Sequence, residues 1–169
     1  MKKFISILTT AVIIAAVSLS TVACGNNKTA ANSKLEGSLE DILKQVYEEA
    51  ELSDEFRTWT ESGLLTNDIT AENEEYHLGK TGIEYEEGII SEPMMMPSAY
   101  ALCLIRAGED QDIEALKTEI SENANPNKWI CVGVDEKNVL VDNVGDVVML
   151  VMSDDNAQTL MDSFKGLAG

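Results

Sequence analysis

Residues 98–106 read SAYALCLIR, a stretch that is apolar on both sides if it is a strand. Side chains alternate along a strand, so Tyr100, Leu102 and Leu104 point one way. Ala99, Ala101, Cys103 and Ile105 point the other. A strand without a polar face belongs inside a sheet, with cover on both sides. Downstream, Asp110 or Asp112 can cap a helix that carries Ile113, Leu116 and Ile120 on one face and must stop near Pro126. VLVD at 139–142 and VVMLVM at 147–152 form a hairpin across NVGD. Ser153 or Asp154 then caps a last helix, with Ala157, Leu160, Met161 and Phe164 in register and Gly166 at its end. From Ile89 onward the order is strand, strand, helix, strand, strand, helix. Hairpin-joined strands with helices between the pairs predict an α+β two-layer sandwich, a mostly antiparallel sheet with helices packed on it. Residues 129–134, WICVGV, fit a strand by their β-branched content, or a helical turn after Asn125-Pro126.

Upstream of the sheet, Ser38 opens an amphipathic helix. Leu39, Ile42, Leu43, Val46, Tyr47 and Ala50 share one face, opposite Glu40, Asp41, Lys44, Glu48 and Glu49. Ser38 suits the N-cap, and Glu40 and Asp41 favour the positive end of the helix dipole. Residues 53–88 have no clear period. They hold Trp59, His77 and the acid runs ENEEYH and EYEEG, with glycines at 63, 79, 82 and 88, and short strands or irregular structure are expected.

The first residues assign a compartment. Met1-Lys2-Lys3 is a short cationic start, residues 4–20 carry no charge, and small residues precede Cys24. That is the layout of a secretory signal, and no cationic stop-transfer cluster follows it. The TVAC ending resembles the lipobox of bacterial lipoproteins, with Thr21 where that motif usually has Leu, Val or Ile. The resemblance implies lipidation at Cys24, and two acyl chains suffice for stable anchoring. The expected organisation is a signal at 1–23, a lipidated cysteine and flexible tether at 24–37, and a single α+β domain at 38–169. The tether, GNNKTAANSKLEG from Gly25, would reach roughly 20 Å as a coil.

The mature chain carries 10 basic residues against 30 acidic ones, a net charge of −20. Nucleic acid and anionic headgroups would both repel it. Contact with the membrane is therefore expected through the lipid on Cys24, and nucleic acid is not expected as a partner. Cys103 and Cys131 could form one disulfide in an exported protein. Their apolar surroundings favour two unbridged, buried thiols.

EPMMMPSAYALCLIRAG, NPNKWICVGV and VDNVGDVVMLVMSDD, in that order behind a lipoprotein signal, resemble a family of Gram-positive envelope lipoproteins. That family is known only as a domain of unknown function, number 4358 in that series. The resemblance runs from about Tyr76 to the C-terminus. It implies an envelope location and this fold, and it carries no catalytic residue and no activity.

The chemistry-bearing residues are few. Acyl transfer needs a nucleophile, a base and an orienting group together. His77 is the one histidine, it sits in an acidic polar stretch where a solvated side chain is expected, and no serine lies in a G-x-S-x-G elbow. A glycosidase needs only two carboxylates at a set spacing, and 30 acids give no means of choosing a pair. DEKN and DNVGD lack the ligand pattern of a calcium loop, and no Cys/His spacing suits zinc. No cofactor or metal is expected. The leading expectation is a non-catalytic envelope module that binds a protein, peptide or wall component, with a carboxylate-pair hydrolase as the alternative.

The run Ser91-Glu92-Pro93-Met94-Met95-Met96-Pro97 remains. Thioethers suit copper(I), but in an extended chain Met94 and Met96 point one way and Met95 the other. A partner surface is the second reading, with Met94, Met95, Met96 and Trp129 as its candidates, since methionine adapts to varied shapes. The favoured reading is packing, with at least two of the three buried in an irregular corner beside the central strand.

Overall fold

The computed structural model describes residues 34–168. The signal, Cys24 and the tether as far as residue 33 lie outside them. Five strands form one antiparallel sheet: β1 (Leu64–Asp68), β2 (Glu87–Pro93), β3 (Ala101–Arg106), β4 (Val139–Val144) and β5 (Val147–Met152). Their order across the sheet is β1-β2-β3-β5-β4, so β3 and β5 are interior. All six residues of each are buried, as the doubly apolar sequence requires. The hairpin between β4 and β5 turns at Gly145, whose φ of +57° suits a residue without a Cβ.

Five helices pack on this sheet: α1 (Leu39–Glu49), α2 (Asp54–Ser62), α3 (Glu74–Leu78), α4 (Ile113–Asn123) and α5 (Ala157–Gly166). The α+β architecture is therefore present, and helices cover both faces of the sheet. On one face Leu39, Ile42 and Val46 of α1 and Leu160 and Phe164 of α5 meet Leu102, Leu104, Met149 and Val151. On the other, Ile113, Leu116 and Ile120 of α4 meet Cys103, Ile105, Val148 and Leu150. Each fully buried Leu or Ile contributes about 1.5–3 kcal/mol of burial, and cutting one to alanine should cost about 2–5 kcal/mol. Among the described residues, no helix is long and apolar enough to cross a membrane.

The helix starts follow their caps. Ser38 Oγ accepts from the Asp41 N–H at 3.2 Å, and Asp112 Oδ1 accepts from Ala115 N–H at 3.1 Å. At α5 the expected cap moves: Asn156 holds the N-cap position, while Ser153 Oγ accepts the Asn156 N–H at 3.2 Å. Residues 53–88 are also more regular than expected. Ser53 caps α2, with Asp54 and Glu55 in its first turn, and α3 follows β1. Gly79, at φ +85°, ends α3 where a Cβ would strike the Asn123 carbonyl at the end of α4. Beside that close approach Leu78 packs into the core of the sheet and His77 is buried.

The domain begins to make contacts before Ser38. Leu35 packs on the core, its N–H donates to Asp146 Oδ1 at 2.7 Å, and its carbonyl accepts from Arg106 Nη1 at 3.1 Å. Arg106 Nη2 also donates to the Gly37 carbonyl at 2.8 Å. Residues 35–37, expected as tether, are bound to the fold.

Candidate functional site

The two ends of the sheet differ in character. At one end Arg106 is only 3% exposed and collects acceptors: Glu87 Oε1 at 2.7 Å, Asp146 Oδ2 at 3.0 Å, and the two carbonyls of residues 35 and 37. Residues 35–37 are received here. The opposite end, about 17 Å away along β3, gathers the segment that follows β2, the start of β3 at Ala101, the end of β5 at Met152 and the start of β4 at Val139.

Met94, Met95 and Met96 belong to this second end and are 53%, 81% and 53% exposed. The expectation that two of them would be buried is overturned. The reason is geometric: β2 runs to Pro93, β3 resumes at Ala101, and Met94 N–H is bonded to the Gly63 carbonyl at 2.9 Å. The segment has to cross the sheet end in seven residues, which leaves its side chains beyond the last strand row. Met96-Pro97 is a cis peptide.

Residues 124–134 close against the same end, because Asp135 N–H donates to Asp154 Oδ1 at 2.9 Å. Residues 129–134 form neither the strand nor the helical turn considered for them. Trp129, a candidate for the partner surface, is instead buried in the core at 6% exposure, while its neighbour Ile130 is 78% exposed. Cys131 is exposed rather than buried, at φ +66°, and Cys103 is fully buried. Both are unbridged.

Beneath Trp129 lies a polar cluster that sequence reasoning missed. Lys128 Nζ is buried without a hydrogen-bond partner, 4.8 Å from the Tyr76 ring centroid and 5.2 Å from that of Trp129. Cation–π attraction offsets part of its lost hydration, and burial lowers its pKa. His77, expected in solvent, is 5% exposed, and Nδ1 has no partner. Burial, and then the nearby Lys128 charge, take the imidazole down to about 4. Burial pushes the Cys103 thiol up to about 12. A thiol held protonated is the opposite of an activated nucleophile. The two cation–π contacts tie residues 128 and 129 to Tyr76 of α3. The signal for His77 was helical spacing: Glu74, His77 and Leu78 share one face of α3, and all three are buried.

A cleft of about 640 Å³ opens beside the methionine segment, between α2 and the β5–α5 turn. Its floor is aromatic. Phe56 and Trp59 stand half-buried, with ring centroids 5.3 Å apart, and Trp59 meets Tyr100 edge-on at 5.2 Å. Gly63 permits this, since a Cβ there would collide with the indole of Trp59. Tyr100 is itself buried, its hydroxyl 2.8 Å from that of Tyr47, which donates on to Ser91. Glu55, Asp154 and Asp155 are exposed on the rim. Asp154 accepts from Asn138 Nδ2 at 2.8 Å and from the Asp135 amide, and these bonds lower its pKa. A general acid needs the reverse, a carboxyl held protonated. Among the described residues, no group of three or more His, Cys, Asp or Glu side chains is placed to hold a metal ion.

Comparison with protein-family models, curated proteins and solved structures finds no match to this chain.

Proposed function

We propose that this protein is an extracytoplasmic envelope module, lipid-anchored through Cys24, whose role is non-catalytic binding of another protein. On this reading it belongs with the envelope lipoproteins that it resembles. One observation carries the binding role: three consecutive methionines stand 53%, 81% and 53% exposed on a chain with 30 acidic residues against 12 basic ones. A soft, adaptable apolar rim of this kind suits a protein surface. Its position supports the same reading. The tether joins the fold at the Arg106 end, and the methionines occupy the other, so an anchored domain would present them away from its own bilayer.

Two experiments test this. Cys24→Ala should release the protein from the membrane fraction and abolish lipid mass on the mature chain; membrane retention as tight as wild type would defeat the anchoring. For the binding face, a photo-crosslinking amino acid replaces Met95 in one strain and Glu86, near the Arg106 end, in another. Irradiated envelopes should yield a discrete protein adduct at 95 that disappears on adding Met94→Ser and Met96→Ser. Equal adducts at both positions, or only lipid adducts at 95, would refute an outward binding face.

A further inference from the structure

We propose that the cleft between α2 and the β5–α5 turn receives a lysine or arginine side chain of the partner polypeptide. This rests on the binding role above and names the chemistry that the partner brings. The floor offers the half-buried rings of Phe56 and Trp59, and the rim offers Glu55, Asp154 and Asp155. Among the residues lining the cleft there is no Lys or Arg to neutralise those carboxylates. Lys137, whose charge acts on Asp154, is held by Asp135 at 2.8 Å. Asp154 has Oδ1 committed to the Asp135 amide and Asn138 Nδ2, which fixes the carboxylate in place and favours its ionised form. A flexible aliphatic stem ending in a cation fits both parts. Its methylenes cover aromatic surface, and its head reaches the carboxylates at the rim.

The net charge of the chain adds long-range attraction for a basic partner and repels a second copy of itself. The cleft adds a place for that charge to lodge. Its wall at Ser98 and Ala99 directly follows the 94–97 segment. A basic side chain in the cleft and an apolar neighbour on the methionines would therefore sit a few residues apart on one extended strand.

The test is a titration of the mature domain by NMR with three probes: N-acetyl-arginine amide, N-acetyl-lysine amide and the uncharged N-acetyl-norleucine amide. The two cationic probes should shift the Trp59 indole N–H and the amides of 98–100 and 153–156, saturably, and the norleucine amide should not. Glu55→Gln with Asp155→Asn should weaken that response at least fivefold; both positions are exposed and make no contact that the fold depends on. The proposal falls if no probe shifts these signals, if norleucine amide shifts them equally, or if the double variant responds like wild type. It also falls if the acid runs at 72–75 and 84–87 respond as strongly, since the cations would then only be screening surface charge. Repeating the titration on the Met94→Ser, Met95→Ser, Met96→Ser variant separates the two readings. Unchanged binding places the cation in the cleft independently of the methionine rim, whose own test is the crosslink at 95.

Discussion

Replacing Arg106 with Gln should cost about 3–5 kcal/mol, because it leaves a buried charge without its partner. The figure follows from the surroundings. The guanidinium side chain is 4% exposed and Asp146 is 10% exposed, whereas Glu87 is 51% exposed. The Glu87 bond therefore adds little, as solvent-exposed pairs do. Most of the loss comes from Asp146, left with the Leu35 N–H at 2.7 Å, and from the carbonyls of Leu35 and Gly37, which lose their donor. With an m-value of about 2 kcal/mol/M in urea, the midpoint should fall by about 1.5–2.5 M at unchanged slope. Tryptophan fluorescence follows the transition. Adding Asp146→Asn should cost less than its own single effect, since the stranded charge is then gone, with a coupling of about 0.5–3 kcal/mol. Hydrogen exchange supplies the local readout: the Leu35 amide should lose protection in Arg106→Gln well before the β3 and β5 amides do. A loss below about 1 kcal/mol, strict additivity with Asp146→Asn, or a Leu35 amide that exchanges as in wild type would refute the clamp.

The exposed methionines carry a prediction that separates rim from core: Met94→Ser, Met95→Ser, Met96→Ser should change stability by less than about 1 kcal/mol. Dilute peroxide should oxidise all three in the folded domain without moving the melting temperature, and protection of two of them would restore the packing reading. Alkylation of the folded domain should label Cys131 and spare Cys103, and denaturation without reductant should give two labels; none would mean a disulfide. His77 makes stability depend on pH. Its folded pKa is lowered from 6.5 to about 4, so the unfolded chain binds the extra proton between those values. The contribution is complete above about pH 6.5 and is lost as pH falls towards 4, by at most about 3 kcal/mol. Urea midpoints from pH 7.5 to 4 should therefore decline less steeply in His77→Gln than in wild type, and parallel curves would rule the effect out.

The strands of the sheet centre and the helices α1, α4 and α5 were legible because each carries its full period within its own residues. Six consecutive apolar positions at 147–152 admit no other half-exposed reading, and Leu39, Ile42, Leu43 and Val46 outline a helix face unaided. What stayed hidden depended on neighbours distant in sequence. α2 shows only Phe56 and Trp59 as a face, too narrow a stripe to call a helix by period, although Ser53-Asp54-Glu55 is a fair start signal. His77 was judged by the acids beside it in sequence, while helical spacing and the close approach at Gly79 turn it inward. The methionines read as flexible filler for an irregular corner between Pro93 and Pro97, and their exposure is set by how far the chain must travel between Pro93 and Ala101. The cleft is the clearest case: its floor comes from α2 and its rim from the β5–α5 turn, which are some hundred residues apart.

These hidden features share an arrangement that bears on function. Exposing three methionines and Ile130 costs solubility, and a chain selected only for folding has ready alternatives at such turn positions. The methionines lie at the sheet end where β3 begins, while the Arg106 end is closed by charge pairs and by residues 35–37. Polar fastening at one end and apolar exposure at the other give the domain a direction. If the exposed side chains merely reflected a poorly packed corner, they should be accompanied by unfilled core nearby. Instead Ala101, Leu102 and Met152 at the same end of the sheet, and Trp129 in the core, are all at most 6% exposed. The rim therefore borders buried apolar side chains, and a surface that holds its shape before a partner arrives binds with less ordering cost.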